Sequence, residues 1–133
     1  SLITRGTGGI ILFSSIVAFQ GVPGQANYAA TKAWVQVFAE GLRRELGPAG
    51  VDVLAVAPGP VATGFAARAG LTMGTAETPE TVARASLKAL GRTGTVRPGS
   101  LAKVLEASLS LLPRSGRTLI LQQVMASMMN KTG

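Results

Sequence analysis

Tyr28 and Lys32 stand four residues apart in the alanine-rich stretch "GQANYAATKAW", Gly24 to Trp34. On an α-helix, residues i and i+4 lie one above the other on the same face. The spacing therefore projects a phenol and an ammonium in one direction. Tyr28 is the only tyrosine in the chain, and the chain has no histidine to move protons in its place. A free phenol titrates near about pH 10. An ammonium one helical turn away favours the phenolate and brings the group toward use as an acid or base at neutral pH. The ammonium also keeps donors for a hydroxyl-bearing ligand.

Ser15 lies thirteen residues before Tyr28 and closes the apolar run "GGIILFSS", Gly8 to Ser15. With no histidine to activate it, Ser15 reads as a hydrogen-bond donor and not as a nucleophile. The carboxyl end of a parallel strand and the start of the following helix share one edge of an α/β sheet, where the hydroxyl and the phenol could converge on one oxygen atom. A second apolar run, "VDVLAVAP", ends at the same edge in "APGPVATG". There Gly59 permits close backbone approach, Pro58 and Pro60 stiffen the turn, and Thr63 offers a hydroxyl to a phosphate or amide.

These residues need elements to position them. "GGIILFSS" reads as a strand buried on both faces, of the kind found in parallel sheets. "GVPGQAN" is a turn-rich loop with Asn27 as helix N-cap. A helix is expected from Tyr28 to about Leu46, with Trp34, Phe38 and Leu42 at four-residue spacing as packing against the sheet or across a subunit interface, and "GPAG" as its stop. Val51 to Pro58 forms a second buried strand, and a glycine- and threonine-rich loop runs to about Thr78. Thr78 then caps a helix with Pro79 at its first position and Glu80 in its first turn, running to about Leu90 and ending at Gly91. Gly94 to Ser100 is a turn or short extended segment. Two amphipathic helices are expected at Leu101 to Leu112 and about Thr118 to Met129, broken by "PRSG" at 113–116. Strand, helix, strand, helix makes an α/β fold: part of a doubly wound, Rossmann-like parallel sheet followed by C-terminal helices. Residues 1–92 are assigned to the sheet-bearing domain and 93–133 to a helical extension.

Ser15, the Tyr28-x-x-x-Lys32 pair and Pro58-Gly59-Pro60-Val61-x-Thr63 together resemble the short-chain dehydrogenase/reductase family, closely from about Gly6 to Leu90. The resemblance implies that Tyr28 is the catalytic acid/base and that Ser15 holds the substrate oxygen. It implies that Lys32 binds the nicotinamide ribose, and that Pro58, Gly59, Val61 and Thr63 line the nicotinamide end of an NAD or NADP cofactor. The implied reaction is reversible hydride transfer between the dinucleotide and an alcohol/carbonyl pair. The helix of Tyr28 to Leu46 often builds a dimer contact in this family, so a homo-oligomer is expected through it. Against the family pattern, no glycine-rich turn follows a strand here, since "GTGG" at 6–9 precedes one. The family's Asn-Ala-Gly motif and its catalytic asparagine are also missing. The chain resembles the C-terminal half of a dehydrogenase, and by itself is expected to be inactive.

Composition narrows the alternatives. Among 133 residues there is no cysteine or histidine, which removes disulfides and the usual zinc sites, so no metal is expected and a reducing cytoplasm is the default. The net charge of +7 comes from scattered side chains, with only Arg43 and Arg44 adjacent. Its aromatics do not interleave with basic residues, which speaks against nucleic acid. Arg97, Arg114 and Arg117 read as solvated, with phosphate or membrane contact through the C-terminal helices as the competing view. Met125, Met128 and Met129 read as core or interface filler. The uncharged loop Ile16 to Pro23, with Phe65 and Leu71, suggests an apolar ketone, aldehyde or alcohol as substrate. The alternatives to an enzyme are a non-catalytic binding or scaffolding fragment and a membrane-surface module.

Overall fold

The computed structural model describes residues 1–62 and 76–129. A short helix α1 (Leu2–Arg5) ends at Gly6 in the left-handed conformation and leads into strand β1 (Gly8–Phe13). A 3-10 turn (Ile16–Phe19) connects to helix α2 (Ala26–Leu46), which a second 3-10 turn (Gly47–Ala49) joins to strand β2 (Val51–Val56). Helix α3 (Pro79–Ala89), strand β3 (Thr95–Val96) and helices α4 (Ser100–Ser110) and α5 (Arg114–Met129) complete the described chain. The sheet is parallel throughout in the order β1-β2-β3, with Gly8 opposite Val51 and Phe13 opposite Val56.

Period-2 alternation distributes the strand side chains to two helical layers. Ile10, Leu12, Val53 and Ala55 face α2, where they pack with Ala39, Leu42 and Leu46. Ile11, Leu54 and Val56 face α3 and pack with Val82, Ala89 and Leu90. Past the exposed Asp52, the central strand β2 is buried on both faces, as its apolar run predicts: Val53 to Val56 are all 0% exposed. β1 departs from that expectation. It lies at the edge of the described sheet, its residues are mostly half-buried, and Phe13 is 53% exposed.

Helix α2 also differs in detail from the sequence reading. It starts two residues earlier, with Gln25 at the N-cap, so Asn27 falls inside the first turn and does not cap it. The turn closed by Gln25 N–H on the Val22 carbonyl and the left-handed Gly24 set this start. Trp34 and Phe38 do not pack on the sheet, being 65% and 44% exposed and stacked on each other with ring centroids 5.1 Å apart. The sheet-facing side carries small or polar residues instead, with Gln36 and Ala39 buried. The left-handed residue after α2 is Gly50, not Gly47, and its backbone passes so close to Gly6 that a Cβ there would strike the Gly6 carbonyl.

Helix α3 begins as its sequence signals: the Thr78 hydroxyl accepts from Thr81 N–H at 3.2 Å, and Pro79 stands at the first position. Such a cap contributes about 1 kcal/mol. Helix α5 begins at Arg114, so "PRSG" opens it and is not a break of its full length; Pro113 fits because the first N–H groups of a helix need no intrahelical acceptor. The side chains of Met125, Met128 and Met129 lie outside the described residues. A third cluster, Val22, Ala29, Leu109 and Leu121, seats the C-terminal helices on the start of α2.

Candidate active site

The carboxyl ends of β1 and β2 continue their ladder beyond the strands. Ser14 N–H donates to the Val56 carbonyl at 2.7 Å, and Ile16 N–H to the Pro58 carbonyl at 3.1 Å. These two bonds hold Ser15 beside Pro58 and Gly59. Ser15 is buried in extended backbone, and its Oγ accepts from Val17 N–H at 3.3 Å as it caps the 3-10 turn. That bond occupies an acceptor site and leaves the hydroxyl proton to donate.

Lys32 projects from α2 back over the end of β1. Its Nζ donates to the Phe13 carbonyl at 3.0 Å and lies 5.8 Å from the centre of the Tyr28 ring. One of three ammonium donors is thereby used, and two remain for a ligand. The Tyr28 ring is half-buried. From the other direction the neighbouring serine ties the same elements together, the Ser14 hydroxyl donating to the Lys32 carbonyl at 3.2 Å. Helix α2 is thus fastened to the end of β1 by two bonds of opposite direction at one residue.

Gly59 tests whether a flat ligand fits this edge. A Cβ built on it would lie 3.7 Å from Ile16 Cδ1 and 3.8 Å from Ala102 Cβ, ordinary contact distances. Protein packing alone would accept an alanine there, so the glycine leaves open a small space between two apolar side chains. Val61 is placed differently. Its side chain packs against the cluster of Leu54, Val56 and Val82, and its backbone bridges to Glu77. Ala62 N–H donates to the Glu77 carbonyl at 2.8 Å, and Glu77 N–H to the Pro60 carbonyl at 2.9 Å. Thr63, Phe65 and Leu71 lie outside the described residues.

The structure therefore brings Ser15, Tyr28, Lys32, Pro58 and Gly59 to one edge. It also adds residues that sequence reading missed. A cleft of about 180 Å³ opens beside the 3-10 turn, walled by Ile16, Phe19, Ala102, Leu109 and Leu121. Arg97 and Arg117 line it as well, both half-buried and not fully solvated as their sequence setting suggests. The Arg97 guanidinium lies 4.5 Å from the centre of the Phe19 ring. Their sequence setting did not place either arginine here: Arg97 follows β3 and Arg117 stands on α5, and only tertiary packing brings both to this wall. Arg114 is exposed, as read.

Comparison with known proteins points the same way as the geometry. The family model for short chain dehydrogenase matches residues 1–73. A 3-oxoacyl-acyl-carrier-protein reductase of Chlamydia muridarum is 35% identical over 96 residues, which cover 65% of this chain and 39% of that protein. Among solved structures, a short chain dehydrogenase from Burkholderia cenocepacia in complex with NADP superposes with a TM-score of 0.77 at 30% identity, covering 90% of this chain and 49% of that one. A 3-oxoacyl-acyl-carrier-protein reductase from Brucella melitensis with bound NAD gives a TM-score of 0.57 at 30% identity, over 72% of this chain and 41% of that one. The chain spans half the length of these proteins or less.

Proposed function

The chain belongs to the short-chain dehydrogenase family, and from that premise we propose that its edge of Ser15, Tyr28 and Lys32 interconverts an alcohol with a ketone or aldehyde, using NAD or NADP. The observation that carries the proposal is Lys32, whose Nζ is anchored on the Phe13 carbonyl at 3.0 Å and lies 5.8 Å from the Tyr28 ring centre, beside the strand end that holds Ser15. When bound, the dinucleotide supplies or accepts the hydride. In this proposal the Ser15 hydroxyl donates to the substrate oxygen and fixes its place. The Tyr28 hydroxyl gives that oxygen a proton in reduction and takes it back in oxidation. The two unused donors of Lys32 hold ribose hydroxyls. Pro58, Gly59, the backbone at Val61 and the hydroxyl of Thr63 line the nicotinamide end, with the small space at Gly59 turned to the ring.

The apolar cleft that begins at Ile16, next to Ser15, suits a substrate with an apolar body, and Ala102, Leu109 and Leu121 of α4 and α5 supply its outer wall. The Trp34–Phe38 stack, exposed together with Val37, supports assembly with a second copy through α2. A membrane-surface role is favoured only by exposed Leu111 and Leu119 beside Arg114; among the described residues no helix is long and apolar enough to cross a membrane.

Tyr28→Phe tests the reading in a polypeptide of family length that carries these residues. Turnover should fall at least a thousandfold while dinucleotide affinity changes less than about threefold, because only the proton carrier is lost. Retention of a tenth of the activity would mean that the proton travels by another route.

A further inference from the structure

We infer that Gln20 selects among ligands of the cleft beside the 3-10 turn: its side-chain oxygen accepts a hydrogen bond from a hydroxyl or amide N–H carried on an apolar body. Gln20 follows the turn, lines the cleft and is 5% exposed. Its Nε2 donates back to the Ile16 carbonyl at 3.2 Å. That bond fixes how the amide is turned, because the opposite orientation would set oxygen against oxygen. Oε1 is left without a partner among the described residues. Among those residues only Gln36 Oε1 is a side-chain polar atom both sealed from solvent and without a hydrogen bond. Gln20 Oε1 is therefore reached by solvent, and the cleft is the opening that Gln20 lines.

The wall around this oxygen is largely apolar, built from Ile16, Phe19, Ala102, Leu109 and Leu121. A plain hydrocarbon drawn along it strips water from Oε1 and returns nothing, which leaves an acceptor buried and unmet. A hydroxyl or amide N–H at that point replaces the bond it removes. Such selection is sharp, since a site that hydrogen-bonds a ligand group rejects the analogue lacking it far more strongly than an apolar pocket rejects a missing methylene. The tether to the Ile16 carbonyl also holds the amide in place before any ligand arrives, so little side-chain freedom is lost on binding. Ile16 directly follows Ser15, and its Cδ1 stands 3.7 Å from a Cβ built on Gly59, so the acceptor lies one turn from the edge that holds Ser15. On the oxidoreductase reading above, the substrate is then an apolar ketone, aldehyde or alcohol that carries a second, non-reacting hydroxyl or amide N–H. That substrate class rests on the reading; the binding preference does not.

The test titrates the 133-residue chain, without dinucleotide, with two isomers of the same size, 1-hexanol and methyl pentyl ether, followed by the NMR signals of the Gln20 side-chain amide and of Leu109 and Leu121. The ether has no donor and is the more apolar, so a cleft without an acceptor prefers it. Here 1-hexanol should bind about threefold or more tightly than the ether, the worth of one net hydrogen bond, and should move the Gln20 amide signals. Gln20→Met keeps the length of the side chain, removes the acceptor and should reverse the order. Gln122→Met, at an exposed position of α5, should leave it unchanged. Equal or tighter binding of the ether, no saturable binding of 1-hexanol, a preference for 1-hexanol that survives Gln20→Met, or a reversal in Gln122→Met would each overturn the inference. The order on the unsubstituted chain decides the matter even if a variant fails to fold. No turnover enters the readout, so an active Tyr28→Phe would sink the proton-transfer reading and leave this one standing.

Discussion

Ser14 and Ser15 are adjacent, both buried, and do opposite work. The Ser14 hydroxyl donates inward to the Lys32 carbonyl, whereas the Ser15 hydroxyl only accepts, from Val17, and keeps its proton for a ligand. Ser15→Ala in a polypeptide of family length should therefore cut turnover about a hundredfold, the cost of about 3 kcal/mol for one oxygen-directed donor in a dry site. Steady-state kinetics should show this, with a melting temperature lowered only by the lost cap of about 1 kcal/mol, and an effect under threefold would remove Ser15 from the reaction. Lys32→Met makes a different prediction, because Nζ both braces the Phe13 carbonyl and faces the ligand. It should raise the KM for the dinucleotide at least tenfold; a fall in kcat at unchanged KM would leave the lysine a brace and not a ribose contact. Ser15, Tyr28 and Lys32 were legible because each sits within one βα unit, where spacing in the chain nearly fixes spacing in space. The placing of Arg97 and Arg117 was not, because one follows β3 and the other stands on α5, and only tertiary packing brings them to the same wall.

At the scale of elements, α2 carries two unlike faces, and its sequence shows them only in part. The spacing of Trp34, Phe38 and Leu42 is a helical stripe, and such stripes ordinarily face the core. Here only Leu42 does so, and Ala39, 2% exposed, takes the place against Val53 and Ala55. Close approach of a helix to a buried parallel strand requires small residues, so Ala39 marks the sheet face and the aromatic pair marks a free one. Two variants of this one helix should separate the faces. Trp34→Glu with Phe38→Glu should leave the fold within about 0.5 kcal/mol, as exposed positions do, while shifting the chain toward monomer in sedimentation. Ala39→Leu should cost about 1–3 kcal/mol by overpacking, measured by denaturant unfolding. The reverse pattern would put the aromatic stripe in the core. The start of helix α3, by contrast, was readable to the residue, since Thr78 and Pro79 act locally; its end at Ala89 falls one residue short of the expected Leu90. Burial of β1 was not, because an apolar run does not state whether its strand lies at the centre or the edge of a sheet.

For the whole molecule, the question is how much of a dinucleotide these 133 residues can hold. A dinucleotide draws much of its affinity from its pyrophosphate, seated on a helix N-terminus that a glycine-rich turn reaches from a strand. Neither α2 nor α3 offers that seat at its start. The start of α2 is covered by the cluster of Val22, Leu109 and Leu121, and the start of α3 is capped by its own Thr78 and blocked by Pro79. The glycines at 6–9 lie before β1, where Gly6 ends the four-residue α1 and Gly8 already belongs to the strand. What remains is the nicotinamide end: two Lys32 donors, the slot at Gly59 and the Ser15 hydroxyl. Residues 1–133 alone should accordingly bind NAD or NADP with a dissociation constant weaker than about 10 μM and turn over no alcohol or carbonyl, whereas supplying a strand and glycine-rich turn, on the same polypeptide or in trans, should restore tight binding. Calorimetry with the isolated chain decides it. A dissociation constant below about 10 μM, or about −7 kcal/mol, would mean that this edge grips the dinucleotide without a pyrophosphate seat, and the affinity would then have to come from Lys32 and the loop after β2.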